Sequence, residues 1–271
     1  MKKFLLTILL FLLSCSLFLV SGCGSSNEEN AVKVGTLTQL NSTPEQAKNI
    51  SGGEISFYDN FNSMQLALEA KQINKIQTYQ SVAKYMTENN SQFAIDDAQR
   101  TIELVDNFCC AMREEDIDLK NSFDAAINDM KADGTLDALT EQFINNYSLT
   151  PTIVAMPNFD GAETIRVGIT GDLPPLDLVL ADGTPAGFNT AVLAEISNRI
   201  HENIQLIQID SAARAVALTS KQVDVIFWVV VPEDTSNRPK DFDTPEGVAV
   251  TDPYYQDVVV SVNLSNLGAG F

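Results

Sequence analysis

The chain has one histidine, His201, and four cysteines, two of them adjacent at Cys109-Cys110. His201 falls in Ile200-His201-Glu202-Asn203, the polar end of an expected helix, and reads as a surface position. With one histidine and no C-x-x-C or H-E-x-x-H spacing, no standard zinc constellation can be assembled. Neither a G-x-S-x-G elbow nor a phosphate loop occurs. A bridge between neighbouring cysteines is strained, so Cys109 and Cys110 read first as two buried thiols, with a vicinal disulfide as the alternative outside the cytoplasm. The expectation is therefore no enzyme, no metal and no cofactor. Ser42 and Thr43 open a helix start, Thr43-Pro44-Glu45-Gln46, where free backbone amides favour an anion; ordinary N-capping accounts for the same residues.

The N-terminus carries a different chemistry. Lys2-Lys3 precede an apolar run from Phe4 to Val20, the layout of an export signal. The run ends in Val20-Ser21-Gly22-Cys23, which resembles the bacterial lipobox, in which the cysteine is lipidated and becomes the mature N-terminus. The alternative is an uncleaved membrane anchor, for which the run falls short of about 20 residues. Gly24 to Asn30 is small and polar, as a tether would be. One lipid chain holds a protein only marginally, and the lipobox modification implies several.

Removing residues 1–22 leaves 249 residues with 15 Lys and Arg against 36 Asp and Glu, a net charge of −21. That length suits one large domain or two lobes. The charge excludes nucleic-acid binding through phosphates. It also repels anionic lipid headgroups, which makes a covalent tether physically sensible.

Two α/β segments flank 148–163, a stretch holding Pro151, Pro157 and Gly161 without sustained periodicity, read as a linker. The first has expected strands near 32–35, 54–58, 73–77 and 101–112. Its helices follow Asn62 or Ser63, span Tyr79 to Met86, and cover Asp116 to Met130, where Leu119, Phe123, Ala126, Ile127 and Met130 make an amphipathic stripe. The second has strands Ile165 to Ile169 and Ile204 to Ile209, a helix capped by Asn189 or Thr190, a helix Ala212 to Ser220, and Val223 to Val231, apolar on both faces as in a central parallel strand. Alternating elements imply parallel sheets. Ligands then bind at strand carboxyl ends, so the loops of interest are 36–43, 170–176 and 228–238.

Residues 164–262 contain Ile165-Arg166-Val167-Gly168, Pro174-Pro175, Asp182-Gly183-Thr184-Pro185-Ala186-Gly187-Phe188-Asn189, Val223-Asp224-Val225-Ile226 and Thr251-Asp252-Pro253-Tyr254-Tyr255. Through these the segment resembles the first lobe of family 3 extracytoplasmic solute-binding proteins, the amino-acid-binding components of ABC importers. Residues 32–147 resemble the second lobe and closing helices, through Val32-Lys33-Val34-Gly35, Ala67-Leu68-Glu69-Ala70 and Asp133-Gly134-Thr135-Leu136. The resemblance implies a two-lobed α/β fold of the type II periplasmic-binding kind with its lobes in reversed, circularly permuted chain order. The alternative is a tandem of two incomplete domains. The implied organisation is signal peptide 1–22, tether 23–31, second lobe 32–147, linker 148–163, first lobe 164–262 and tail 263–271.

By resemblance, an arginine and a hydroxyl in lobe one hold a ligand carboxylate, an acid in lobe two holds its amine, and aromatics wall the side chain. Arg238 falls in a loop longer and more acidic than the family's, and Arg214 is a second candidate arginine. Val229-Val230-Val231 replaces the family's Gly-x-Thr, Leu176 stands where an aromatic is expected, and the lobe-two acid falls at Thr78 or Tyr79. Trp228 is a candidate pocket wall, and Asp172 either faces the cleft or caps its loop. The implied function is capture of a small amino-acid-like solute for ABC permease subunits, on the outer face of a cell membrane or on an outer membrane through the lipid. The alternative is a sensor or adaptor with a degenerate pocket.

Overall fold

The computed structural model describes residues 31–38, 40, 53–96, 104–148, 150–236 and 243–265. Expectations for the export signal, Cys23, its tether, Ser42, Thr43 and Arg238 lie outside the described residues. Val32–Phe271 forms one compact unit.

The first segment runs β1 (Lys33–Leu37), β2 (Glu54–Tyr58), α1 (Phe61–Glu69), β3 (Lys75–Tyr79), α2 (Gln80–Asn89), β4 (Phe93–Ile95), β5 (Val105–Arg113), α3 (Ile117–Ala132) and α4 (Thr135–Thr140), which continues as a π-helical turn, Glu141–Asn145. The second runs β6 (Thr164–Ile169), β7 (Asp172–Leu173), β8 (Asp177–Val179), β9 (Pro185–Ala186), α5 (Phe188–Ile200), β10 (Asn203–Gln208), a 3-10 turn (Ser211–Ala213), α6 (Arg214–Thr219), β11 (Val225–Pro232), β12 (Val248–Val250) and β13 (Tyr255–Leu264).

Sheet I has the order β2-β1-β3-β13-β4, and sheet II the order β10-β6-β11-β5-β12. Around β1 and β6 the pairing is parallel. The fourth strand of each order, β13 in sheet I and β5 in sheet II, enters antiparallel. Each of these comes from the opposite segment. They also pair with each other, Val105–Phe108 against Tyr255–Val258, and join the two sheets at one junction. The segments therefore do not close as separate half-domains. β7, β8 and β9 form a small third sheet.

Local sequence accounts for most elements. β11 is buried over nearly its whole length. Phe227, Trp228 and Val230 pack into the main core, while Ile226 and Val229 join a second cluster with Cys109, Ala111, Leu218 and Val223. It runs parallel to β6 on one side and antiparallel to β5 on the other, so two-faced apolarity marks burial rather than pairing direction. The stripe of α3 turns Phe123, Ala126, Ile127 and Met130 inward, and Gly134, at φ 81°, breaks the helix.

Two caps differ from expectation. Asn60, not Asn62 or Ser63, caps α1 by accepting from the Ser63 amide at 2.9 Å. Neither Asn189 nor Thr190 caps α5. Both lie buried within its first turn, and the Thr190 hydroxyl donates to the Ala186 carbonyl. Cys109 and Cys110 are buried free thiols. Burial pushes the Cys109 thiol up to about 12, so neither is a ready nucleophile.

Candidate functional site

Parallel strands deliver their carboxyl ends to one seam between the sheets. From sheet I come Thr38 after β1, Asp59 after β2 and Tyr79 at the end of β3; from sheet II come Asp172 after β6, Ser211 after β10 and Trp228 within β11. Loops beyond strand carboxyl ends are where α/β folds place ligands, because they can vary while the sheet beneath stays fixed.

The seam is laced by bonds between its two sides. Ser211 donates its amide to the Asp59 carbonyl at 3.0 Å. Asp172 accepts from the Phe61 amide at 2.5 Å, placing a carboxylate against the N-terminus of α1, where helix polarity favours negative charge. Asp243, on the β11–β12 connection, accepts from the Leu40 amide at 2.6 Å and the Val230 amide at 3.2 Å, one partner on each side.

Arg214 is the central cation. It is 1% exposed. Its Nε donates to the Ser211 carbonyl at 3.2 Å, Nη1 to the Trp228 carbonyl at 2.6 Å and Nη2 to the Thr38 carbonyl at 3.0 Å. Nη2 also lies 3.8 Å from Asp243 Oδ1, and the guanidinium carbon stands 4.9 Å from the centre of the Trp228 ring. Trp228 reaches this place because β11 slips register between Phe227 and Val229, leaving it as the extra residue of a bulge that re-aims its side chain.

Aromatic rings fill the rest. Phe108, on β5 where the sheets join, lies 4.7 Å from Tyr79, 5.5 Å from Trp228 and 5.6 Å from Tyr255, centroid to centroid. Tyr79 meets Trp228 across the seam edge-on at 6.3 Å. Thr78 is buried beside it in the β3–β13 ladder. The Tyr79 hydroxyl lies 3.4 Å from Asp106 Oδ2, so the acid near this position is supplied by β5. On the neighbouring helix, Ser81 near the start of α2 donates its amide and hydroxyl to Asp257 of β13.

Burial governs the electrostatics. It pushes the Asp172 carboxyl up to about 6, against the Phe61 hydrogen bond and with help from the nearby charge of Asp177. Asp177 and Asp243 are likewise raised by burial, against hydrogen bonds to Asp177 from Gly171 and Thr170 and against the attraction of Arg214 for Asp243. The Trp228 indole N–H makes no hydrogen bond of good geometry, yet lies near enough to Asp177 to favour its charge. Asp172 Oδ1, Asp177 Oδ1 and Ser211 Oγ are also buried without a hydrogen-bond partner. No group of three or more His, Cys, Asp or Glu suited to a metal exists among the described residues.

The seam thus brings together Tyr79, Asp172, Arg214 and Trp228. Leu176 is fully buried in the main core. Sequence reasoning missed Asp177, Asp243 and Ser211. Asp210-Ser211, just ahead of Arg214, was the available signal for Ser211. Asp243 gave none, because its partners are backbone amides distant in sequence. A separate small groove of about 30 Å³ is lined by Tyr85, Phe143, Tyr147, Pro174, Pro175 and Leu178.

Two sheets of matching strand order, joined by two crossing strands and facing each other at their carboxyl ends, define a two-lobed type II periplasmic-binding-protein fold. Residues 165–266 match the family model of bacterial extracellular solute-binding proteins, family 3. No curated protein matches the chain. Among solved structures, it is similar to a zinc-bound ligand-binding component of an ABC-type import system from Staphylococcus aureus at 12% identity and TM-score 0.42, covering 87% of this chain and 66% of that one. A methionine-bound nutrient-binding protein from Burkholderia cenocepacia aligns at 11% identity and TM-score 0.38, over 86% of this chain and 84% of that one. A pheromone precursor/lipoprotein of the YaeC family from Enterococcus faecalis aligns at 12% identity and TM-score 0.40, over 86% and 85%.

Proposed function

We propose that the protein captures a small polar, amino-acid-like solute between its lobes and hands it to the permease of an ABC importer, held at the membrane by lipid on Cys23. The observation that carries this reading is the seam itself: strand carboxyl ends of both sheets converge on buried groups able to pair with a charged solute. Closure of two lobes around the solute is the mechanism such a seam serves. No catalytic role is proposed. The lipid rests on the lysines, apolar run and small residues before Cys23, and no helix among the described residues is long and apolar enough to cross a membrane.

The strand order supports a circular permutation as the organisation of this chain. β1 to β4 precede the strands of sheet II, and β13 returns last to complete sheet I.

A thermal-shift screen of residues 24–271 against amino acids and related amines tests the solute. A ligand present at a hundredfold excess over its Kd stabilises by about 2.7 kcal/mol. No shift with any amino acid would remove the transport reading in this form. A sensor or adaptor role would then follow, and the donation of every Arg214 nitrogen to a main-chain carbonyl is the observation that favours it. For the anchor, metabolic labelling with an alkynyl fatty acid should mark the wild type and not Cys23→Ser.

A further inference from the structure

We infer that the Arg214 guanidinium is an internal occupant of the cleft, a latch that shuts the two lobes without solute and that a soluble guanidinium compound can replace. The inference rests on reading the seam as the solute cleft.

Arg214 belongs to sheet II's side, yet one of its three carbonyl acceptors, Thr38, belongs to sheet I's. The others, Ser211 and Trp228, lie on its own side. The guanidinium therefore bridges the lobes as a bound ligand would. Its surroundings are a recognition set for the head group rather than for the tether: three carbonyl oxygens matched to a planar fork of donors, a carboxylate at 3.8 Å and an indole face at 4.9 Å. None of these contacts needs the methylene chain that joins the head to the backbone. Nor is Arg214 open to a solute carboxylate while closed, since it is buried and each of its nitrogens already donates to a main-chain carbonyl.

Asp243 reinforces the latch. Its carboxylate is fully buried and takes an amide from each lobe, Leu40 and Val230, beside the guanidinium. A cation is needed there because a desolvated carboxylate must be paired.

Small-angle scattering on residues 24–271, whose compact unit is Val32–Phe271, gives the first test. The ligand-free wild type is expected to be compact, with no change in radius of gyration on adding amino acids. Arg214→Ala is expected to expand, and millimolar methylguanidinium to return it to the wild-type radius and raise its melting temperature saturably, with sodium chloride at matched ionic strength having no such effect. An open wild type, an Arg214→Ala as compact as the wild type, or no rescue overturns the latch. Should Arg214→Ala not fold, Arg214→Lys keeps the charge and loses the fork; expansion relative to the wild type is expected, and an unchanged radius overturns the proposal. A wild type that compacts on adding an amino acid removes the latch and keeps the solute reading. A compact wild type that ignores amino acids, with a rescued alanine variant, keeps the latch and removes that solute.

Discussion

Asp172 is a capping carboxylate held across the seam, and burial raises its pKa from 3.8 to about 6. The sign of its effect follows. Between pH 4 and 6 the folded protein holds a proton that the unfolded chain has released, so this group's contribution to stability is greatest at the acid end and is lost as pH rises to about 6. Asp172→Asn keeps an acceptor for the Phe61 amide and removes the titration. Its melting temperature should match the wild type near pH 4 and exceed it at pH 7; an equal deficit at both would show that only the geometry matters. At this scale the sequence was partly legible. Trp228 and Arg214 stood out as a large ring and a lone cation near strand ends. Asp177 and Asp243 did not, because their meaning comes from backbone amides and hydroxyls that only the fold assembles around them. Leu176 stood where the resemblance expected a ring, and it serves the core.

Among the elements, α1 and α2 depend on anions at their starts. Asn60 caps α1 from within, so Asn60→Ala should lower stability by about 1 kcal/mol in a urea titration, with the slope unchanged. Phe108 on β5 is fully buried among Tyr79, Trp228, Tyr254 and Tyr255. Truncating it to alanine should cost about 3–5 kcal/mol in the same titration. Most helices and strands were readable from periodicity, since patterns of 2 and 3.6 report which face is buried. Pairing direction was not. β5 and β13 look like any apolar strand, and the antiparallel entry of each is decided by where its segment arrives from.

At the level of the whole molecule, the described ends lie close. In sheet I, Gly35 pairs with Ile76 and Ile76 with Val262, which sets β1 and β13 two strands apart, about 10 Å. If the chain is permuted, a rearranged version should fold: one that begins at Thr164, joins Ser265 to Val32 through a short Gly/Ser link and ends at Tyr147. Its circular dichroism and melting curve should resemble those of the parent, and a molten chain would refute the permutation. The two segments were legible as α/β units, and a reversed order is what the resemblance implies. That each finishes the other's sheet emerged only from three dimensions, since neither hydrophobic pattern names its partner.

The crossing of β13 also has a consequence for synthesis. Sheet I starts with the first of the described strands, yet β13, which stands between β3 and β4, spans Tyr255–Leu264. A growing chain can bring β1, β2 and β3 together, but the β3 edge stays open until β13 has been made. All the strands of sheet II are therefore made before sheet I can be completed.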